Sequence, residues 1–215
     1  LPMKTYQREF IEFALARKAL CFGDFTLKSG RRSPYFFNSG LFNSGGDLLR
    51  IGQFYAGAIR STGIEFDMLF GPAYKGIPLA TAVAVALAQA SGRDLPVCFN
   101  RKETKDHGEG GETFGAAPRG RVLIIDDVIS AGTSVTGAIG LITRAGATPA
   151  AVAVALDRME RGSGRESAAA EMEARHGIKV VSIVTLTDLV DYLDSQPAMA
   201  GSLAMIRQYR EQYGA

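Results

Sequence analysis

Val122-Leu123-Ile124-Ile125-Asp126-Asp127-Val128-Ile129-Ser130-Ala131-Gly132-Thr133-Ser134 runs from an apolar stretch, through two adjacent acids, into a turn of small residues that opens a helix. Four consecutive Val, Leu and Ile residues fit a strand buried on both faces. The turn of Ser, Ala, Gly and Thr lets backbone N–H groups converge on a phosphate, and the start of the helix adds roughly half a positive charge. The hydroxyls of Ser130, Thr133 and Ser134 complete such a cradle. Asp126 and Asp127 would repel the same phosphate, so they need hydrogen-bond donors of another kind, which a vicinal diol offers. A ribose 5-phosphate carries both groups. The stretch is neither the GxxxxGK(S/T) loop of nucleoside triphosphatases nor a GxGxxG dinucleotide fingerprint.

On both sides of this segment the sequence alternates strand and helix. Apolar runs predict strands at 67–71, 96–100, 121–125, 151–156 and 179–186. Between and after them, helical spacing predicts helices within 47–62 and near 77–90, 133–145, 166–176, 188–195 and 198–213. Uninterrupted Val, Ile and Leu strands, each followed by a helix, predict an α/β fold with a mostly parallel central sheet covered on both faces. Ligands of such sheets bind beyond the carboxyl ends of the strands. Upstream, Tyr6, Phe10, Phe13 and Ala14 mark an amphipathic N-terminal helix over 5–19. The aromatic runs Phe25-Thr26-Leu27 and Tyr35-Phe36-Phe37 flank a turn-rich Ser29-Gly30-Arg31-Arg32-Ser33 and predict a hairpin. No repeat or composition shift divides the chain. One domain over 3–215 is expected, with 3–45 forming the helix and hairpin and 46–215 the ligand-binding core, and Leu1-Pro2 reading as a cloning remnant.

Composition narrows the function classes. With 215 residues, 47% of them hydrophobic, the chain can bury a real core. A balance of 24 Lys and Arg against 22 Asp and Glu gives no global field for nucleic acid or an anionic membrane, so any anion site must be local. The longest apolar stretch, 77–90, is too short for the ~20 residues that span a bilayer, and a soluble cytoplasmic protein is expected. Cys21 and Cys98 lie outside any C-x-x-C pattern and read as buried packing thiols of a reducing compartment. His176, before Gly177, reads as structural. No His/Cys cluster argues for zinc, and no GxSxG or Cys–His signature argues for a protein nucleophile.

Four other segments carry candidate chemistry. In Phe70-Gly71-Pro72-Ala73-Tyr74-Lys75-Gly76-Ile77, Gly71 and Gly76 permit unusual dihedrals and close backbone approach, and Lys75 places a cation where a diphosphate could lie. The run from Arg101 through Lys102, Lys105 and His107 to Glu112 is too polar for core and too glycine-rich for a helix, which predicts a mobile loop able to close over a leaving group. Arg158, just past a strand end, could hold a carboxylate bidentately, while aromatic Phe36 and Phe37 suit a flat ring and Lys28 an anion.

The 122–134 segment resembles the binding motif for phosphoribosyl pyrophosphate (PRPP) of the type I phosphoribosyltransferases. The lid sequence RKExKDHGEGG, the hairpin residues 25–30 and 33–38, and the D-R-x-E-R-G run at 157–162 are similar to those of the orotate phosphoribosyltransferases, over essentially the whole chain. Ser130 stands where many bacterial relatives carry Thr, which keeps the hydroxyl. The resemblance implies transfer of the phosphoribosyl group of PRPP to orotate, giving orotidine 5'-monophosphate and pyrophosphate in pyrimidine (UMP) biosynthesis. It implies Arg101, Lys105, His107 and Lys75 in catalysis. PRPP would be bound by these four with Lys28, Tyr74, Lys102, Asp126, Asp127, Val128, Ile129, Ser130, Ala131, Gly132, Thr133 and Ser134. Orotate would meet Phe36, Phe37, Ser130 and Arg158. Mg²⁺ would arrive on PRPP with no direct protein ligand, and a homodimer would carry each lid over its partner's site. A PRPP-sensing regulator and a purine phosphoribosyltransferase are the alternatives.

Overall fold

Side chains in the central strands alternate between two apolar cores, and this alternation sets the layers. Leu69, Leu123, Ile125, Ala151, Ala153 and Ala155 face one core, while Met68, Phe70, Val122, Ile124, Val152 and Val154 face the other. The computed structural model describes residues 3–27, 30–105, 111–129, 133–162 and 164–215.

The strands concerned are β3 (Met68–Gly71), β4 (Val97–Lys105), β5 (Gly111–Gly115), β6 (Arg121–Ile125), β7 (Thr148–Asp157) and β8 (Lys179–Thr185). They form one sheet in the order β5-β4-β3-β6-β7-β8, parallel throughout except for β5. A separate antiparallel hairpin pairs β1 (Leu20–Thr26) with β2 (Arg32–Phe37).

The helices are α1 (Thr5–Ala16), α2 (Gly45–Arg60), α3 (Gly76–Ser91), α4 (Thr133–Arg144), α5 (Ala168–His176), α6 (Leu186–Asp194) and α7 (Ala200–Tyr213). Phe10 and Ile11 of α1, Ile51 and Phe54 of α2, Leu79 and Val83 of α3, Leu189 of α6 and Ile206 of α7 fill the first core. Ile142 of α4 and Met172 of α5 fill the second. The chain leaves β3 through α3 on one face and β6 through α4 on the other, and then travels outward in opposite directions. The carboxyl ends of β3 and β6 therefore flank a topological switch point, where open α/β sheets bind their ligands.

The predicted elements appear within a few residues of their expected bounds, with one larger departure. The polar run after residue 100 is not a loop from Arg101 onward. β4 continues to Lys105 and pairs with β5, Asn100 opposite Thr113 and Lys105 opposite Gly111, with an irregular register between. An edge hairpin that buries neither face tolerates charged residues, so its polarity did not argue against strand. Among the described residues no helix is long and apolar enough to cross a membrane. Cys98 is buried as expected, whereas Cys21 is only partly covered.

Candidate active site at the strand ends

The turn after β3 is built by close approach. A Cβ on Gly71 would meet the carbonyl oxygen of Gly76 at 2.4 Å, and one on Gly76 would meet the carbonyl oxygen of Ile125 at 2.8 Å. Neither glycine has a positive φ, so packing requires them here and dihedral freedom does not. The Ala73–Tyr74 peptide is cis, and the Ala73 N–H donates to Asn100 Oδ1 at 2.7 Å. Tyr74 is 67% exposed and lies beneath Lys102, whose Nζ sits 4.7 Å from the ring centroid. Lys75 Nζ reaches across the switch point to Asp127 Oδ2 at 2.8 Å.

The two acids at the end of β6 are buried. Asp126 Oδ1 accepts the Asp127 N–H, its Oδ2 accepts Ser134 Oγ at 2.7 Å, and its carbonyl accepts the Tyr55 hydroxyl at 2.6 Å. Asp127 Oδ2 accepts both Lys75 and Ser39, and its Oδ1 accepts the Val128 N–H. Burial, with the neighbouring Asp127 second, pushes the Asp126 carboxyl up to about 6. Both acids thus also hold their own turn together. Ser134, expected in a phosphate cradle, donates its hydroxyl to Asp126. Ile129 belongs to the second core, so only its backbone can reach a ligand, and Val128 packs against the first.

A second cluster lies under the hairpin. Arg158 follows β7 and is buried, with its guanidinium carbon 4.0 Å from the Tyr35 ring centroid. Its Nε donates to Glu160 Oε1 at 2.7 Å and its Nη2 donates to Ser33 Oγ at 2.9 Å and Tyr209 Oη at 3.4 Å. Burial works against this charge, but Tyr35, Glu160 and Tyr209 outweigh it and hold the guanidinium more firmly protonated than usual. Nη1 makes none of these bonds, so a bidentate grip on a ligand would require one of them to be given up. Strand alternation separates the two candidate aromatics. Phe36 is 38% exposed and stacks on Phe25, whereas Phe37 is buried against Phe10 and Phe42 and is a core residue.

On the outer hairpin, Arg101 Nη1 donates to the Thr113 carbonyl at 2.7 Å and the guanidinium lies over Phe114. Arg101 is thus held to β5, while Lys102 is exposed. Lys28, His107, Ser130, Ala131 and Gly132 lie outside the described residues, as do Leu1 and Pro2. Of Lys105 and Thr133 only the backbone is described.

The chain as a whole is similar to known proteins. A model of the phosphoribosyl transferase domain matches residues 43–185. An orotate phosphoribosyltransferase from Salmonella typhimurium is 60% identical over 212 residues, 99% of this chain and 100% of its own length. The chain belongs to the orotate phosphoribosyltransferase family. The crystal structure of the Francisella tularensis orotate phosphoribosyltransferase superposes with a TM-score of 0.84 at 38% identity, covering 96% of this chain and 100% of the other. That from Aeropyrum pernix gives 0.66 at 27% identity, over 85% and 97%.

Within this family framework, the fold brings Lys75, Tyr74, Asp126, Asp127 and Ser134 to one switch point and places Lys102 over Tyr74. Nothing in the sequence singled out Ser39, Tyr55, Asn100 or Tyr209, and Ser33, Tyr35 and Glu160 stood out only as members of the 33–38 and D-R-x-E-R-G runs. Glu160 carried a signal, being two residues from Arg158 in a non-helical stretch and therefore able to face the same side. Tyr209, 51 positions away in sequence, carried none.

Proposed function

We propose that this protein transfers the 5-phosphoribosyl group of PRPP to orotate, releasing pyrophosphate and forming orotidine 5'-monophosphate for pyrimidine biosynthesis. The observation that carries the reading is the switch point itself, where buried Asp126 and Asp127 at the end of β6 face Lys75 from the end of β3. A ribose diol can donate to the two carboxylates as Lys75 turns from Asp127 to the pyrophosphate. Orotate N1 then gives up its proton, which the departing pyrophosphate takes, and bonds to the anomeric carbon as the bond to the pyrophosphate oxygen breaks, with charge developing as in an oxocarbenium ion. Arg101, Lys102, Lys105 and His107, on or beyond the β4–β5 hairpin, supply positive charge and N–H donors to the leaving group, a form of electrostatic stabilisation. Arg158 Nη1 and the exposed Phe36 ring orient the base, and residues 128–134 take the 5-phosphate.

The hard carboxylate oxygens of Asp126 and Asp127 fit Mg²⁺ chemistry, but both are already paired with Ser134, Ser39 and Lys75, which favours Mg²⁺ held mainly through PRPP. When bound, Mg²⁺ neutralises the pyrophosphate charge. We further propose one domain over 3–215, a cytoplasmic location, and a homodimer whose hairpin acts on the partner's site. Leu49 of α2 and Val85 of α3 are exposed apolar side chains suited to such an interface. The arm beyond the Asn100–Thr113 pair reaches roughly 17 Å, five residues at ~3.3 Å each.

The test is PRPP-dependent loss of orotate absorbance with Mg²⁺ present. Turnover with orotate and none with adenine or hypoxanthine is expected. Turnover with a purine alone would favour the purine enzyme, and PRPP binding without turnover would favour the regulator.

A further inference from the structure

Burial opposes the charge of Arg158, and the surrounding groups offset that cost. Arg158 is 8% exposed, and its neighbours come from three separate parts of the chain: Ser33 and Tyr35 from β2, Glu160 from its own loop, and Tyr209 from α7. Tyr209 is central because its hydroxyl donates to Glu160 Oε1 at 2.8 Å while accepting from Arg158 Nη2. Glu160 Oε1 thus receives Arg158 Nε and Tyr209 Oη together, closing a three-membered ring of hydrogen bonds. The Tyr35 ring, edge-on to Tyr209 at 6.1 Å, forms the floor under the guanidinium.

The end of α7 is also fixed to this loop through backbone. Arg161 N donates to the Tyr213 carbonyl at 2.9 Å, and Ala215 N donates to the Met159 carbonyl at 3.1 Å. Arg31 adds a contact from the hairpin side, over the Tyr213 ring and 3.5 Å from Glu160 Oε2.

We propose that Tyr209, with Glu160 and Ser33, is a positioning residue for the base, setting which guanidinium nitrogen of Arg158 faces orotate. The last helix is then part of the base site although its sequence carries no ligand motif. Three bonds fix Nε and Nη2, and Nη1 is the nitrogen presented. Removing the Tyr209 hydroxyl leaves Nη2 on Ser33 alone and takes the second donor from Glu160 Oε1, which loosens the guanidinium about the bonds that remain. The cost falls on the base alone, because PRPP meets the switch point and not this cluster.

The proposal rests on Arg158 contacting orotate, and a double-mutant cycle separates the two ideas. In the full-length protein, Tyr209→Phe is expected to raise KM for orotate about three- to tenfold, the range for losing one modest hydrogen bond, with KM for PRPP unchanged within twofold. In an Arg158→Ala background the same change should add nothing to the orotate KM. Ser33→Ala is expected to reproduce the orotate-selective rise from the opposite side of the ring, independently of how α7 tolerates substitution. Unchanged orotate KM in both variants overturns the proposal, as does a rise of equal size with and without Arg158. If Arg158→Ala itself leaves orotate KM unchanged, the underlying assignment of Arg158 fails, and the proposal with it.

Discussion

The switch point and the Arg158 cluster treat buried charge in opposite ways. Around Arg158 the charge is paired before any ligand arrives, with a carboxylate, two hydroxyls and an aromatic face in place. At the end of β6 two carboxylates are buried side by side, sharing one lysine, and one of them has its pKa raised by burial and by its neighbour. On the proposed reading a flat base would meet a fixed nitrogen at a fixed position, which a closed ring of hydrogen bonds provides. A sugar diphosphate brings its own charge, cation and hydroxyl donors, so its pocket can be incomplete until filled.

The largest expected effect lies on the incomplete side. Asp127→Asn removes the anchor shared by Lys75 and Ser39 and one acceptor for the diol. Losing the charge-assisted bond to the diol at ~1.5–3 kcal/mol, with an amide N–H now facing Lys75 Nζ and displacing it, lowers kcat/KM for PRPP by about a hundredfold or more. Titrating PRPP against the folded variant measures this, and wild-type kinetics would contradict the diol assignment. Arg158→Ala comes next, with a ten- to a hundredfold loss in kcat/KM for orotate, about the worth of one charge-assisted contact, and little change in PRPP affinity. Equal losses for both substrates would erase the distinction between the two regions.

Mixing inactive Lys105→Ala and Asp126→Asn proteins tests the partner-site action of the hairpin. Random exchange makes about half the dimers mixed, each with one intact site, so about a quarter of wild-type activity returns. Differently tagged protomers confirm the exchange, and mixed dimers as inactive as their parents would place the hairpin over its own subunit's site.

The smallest effect is on stability. The folded value of about 6 for Asp126 lies above its ordinary value of 3.8, so the fold favours the protonated acid. That contribution is full below about pH 4 and is lost as pH rises through 6. Asp126→Asn, which does not ionise, should therefore melt a few degrees above the wild type at pH 7.5. Net of its weakened bonds, that gain is about 1–2 kcal/mol, and it should vanish near pH 4. A melting point lower at pH 7.5 would show that the carboxylate is needed by the fold. PRPP binding by the wild type should weaken as pH falls below about 6, because a protonated Asp126 accepts from the diol less well.

These two regions also differ in how far they could be read in advance. The β6 stretch announced itself because strand, acids and small-residue turn are contiguous, and each residue's chemistry follows from its neighbours in sequence. The sheet was legible for the same reason, through apolar runs bounded by helices. The Arg158 cluster is assembled from β2, the 158–160 loop and α7, so its logic exists only after folding. Phe36 and Phe37 sat in one aromatic run, and only pairing of β2 with β1 decides which ring is buried. Residues 101–105 and 111–112 were misjudged because polarity was taken as a sign of loop, whereas paired edge strands can be polar on both faces.

The central claim is that both regions serve one reaction, and the most direct measurement is of its products. With purified protein, Mg²⁺, PRPP and orotate, the account predicts orotidine 5'-monophosphate and pyrophosphate released in equal amounts, matching the orotate consumed, with no product from adenine or hypoxanthine. Pyrophosphate release without orotidine 5'-monophosphate, or a nucleotide formed from a purine in place of orotate, would contradict it.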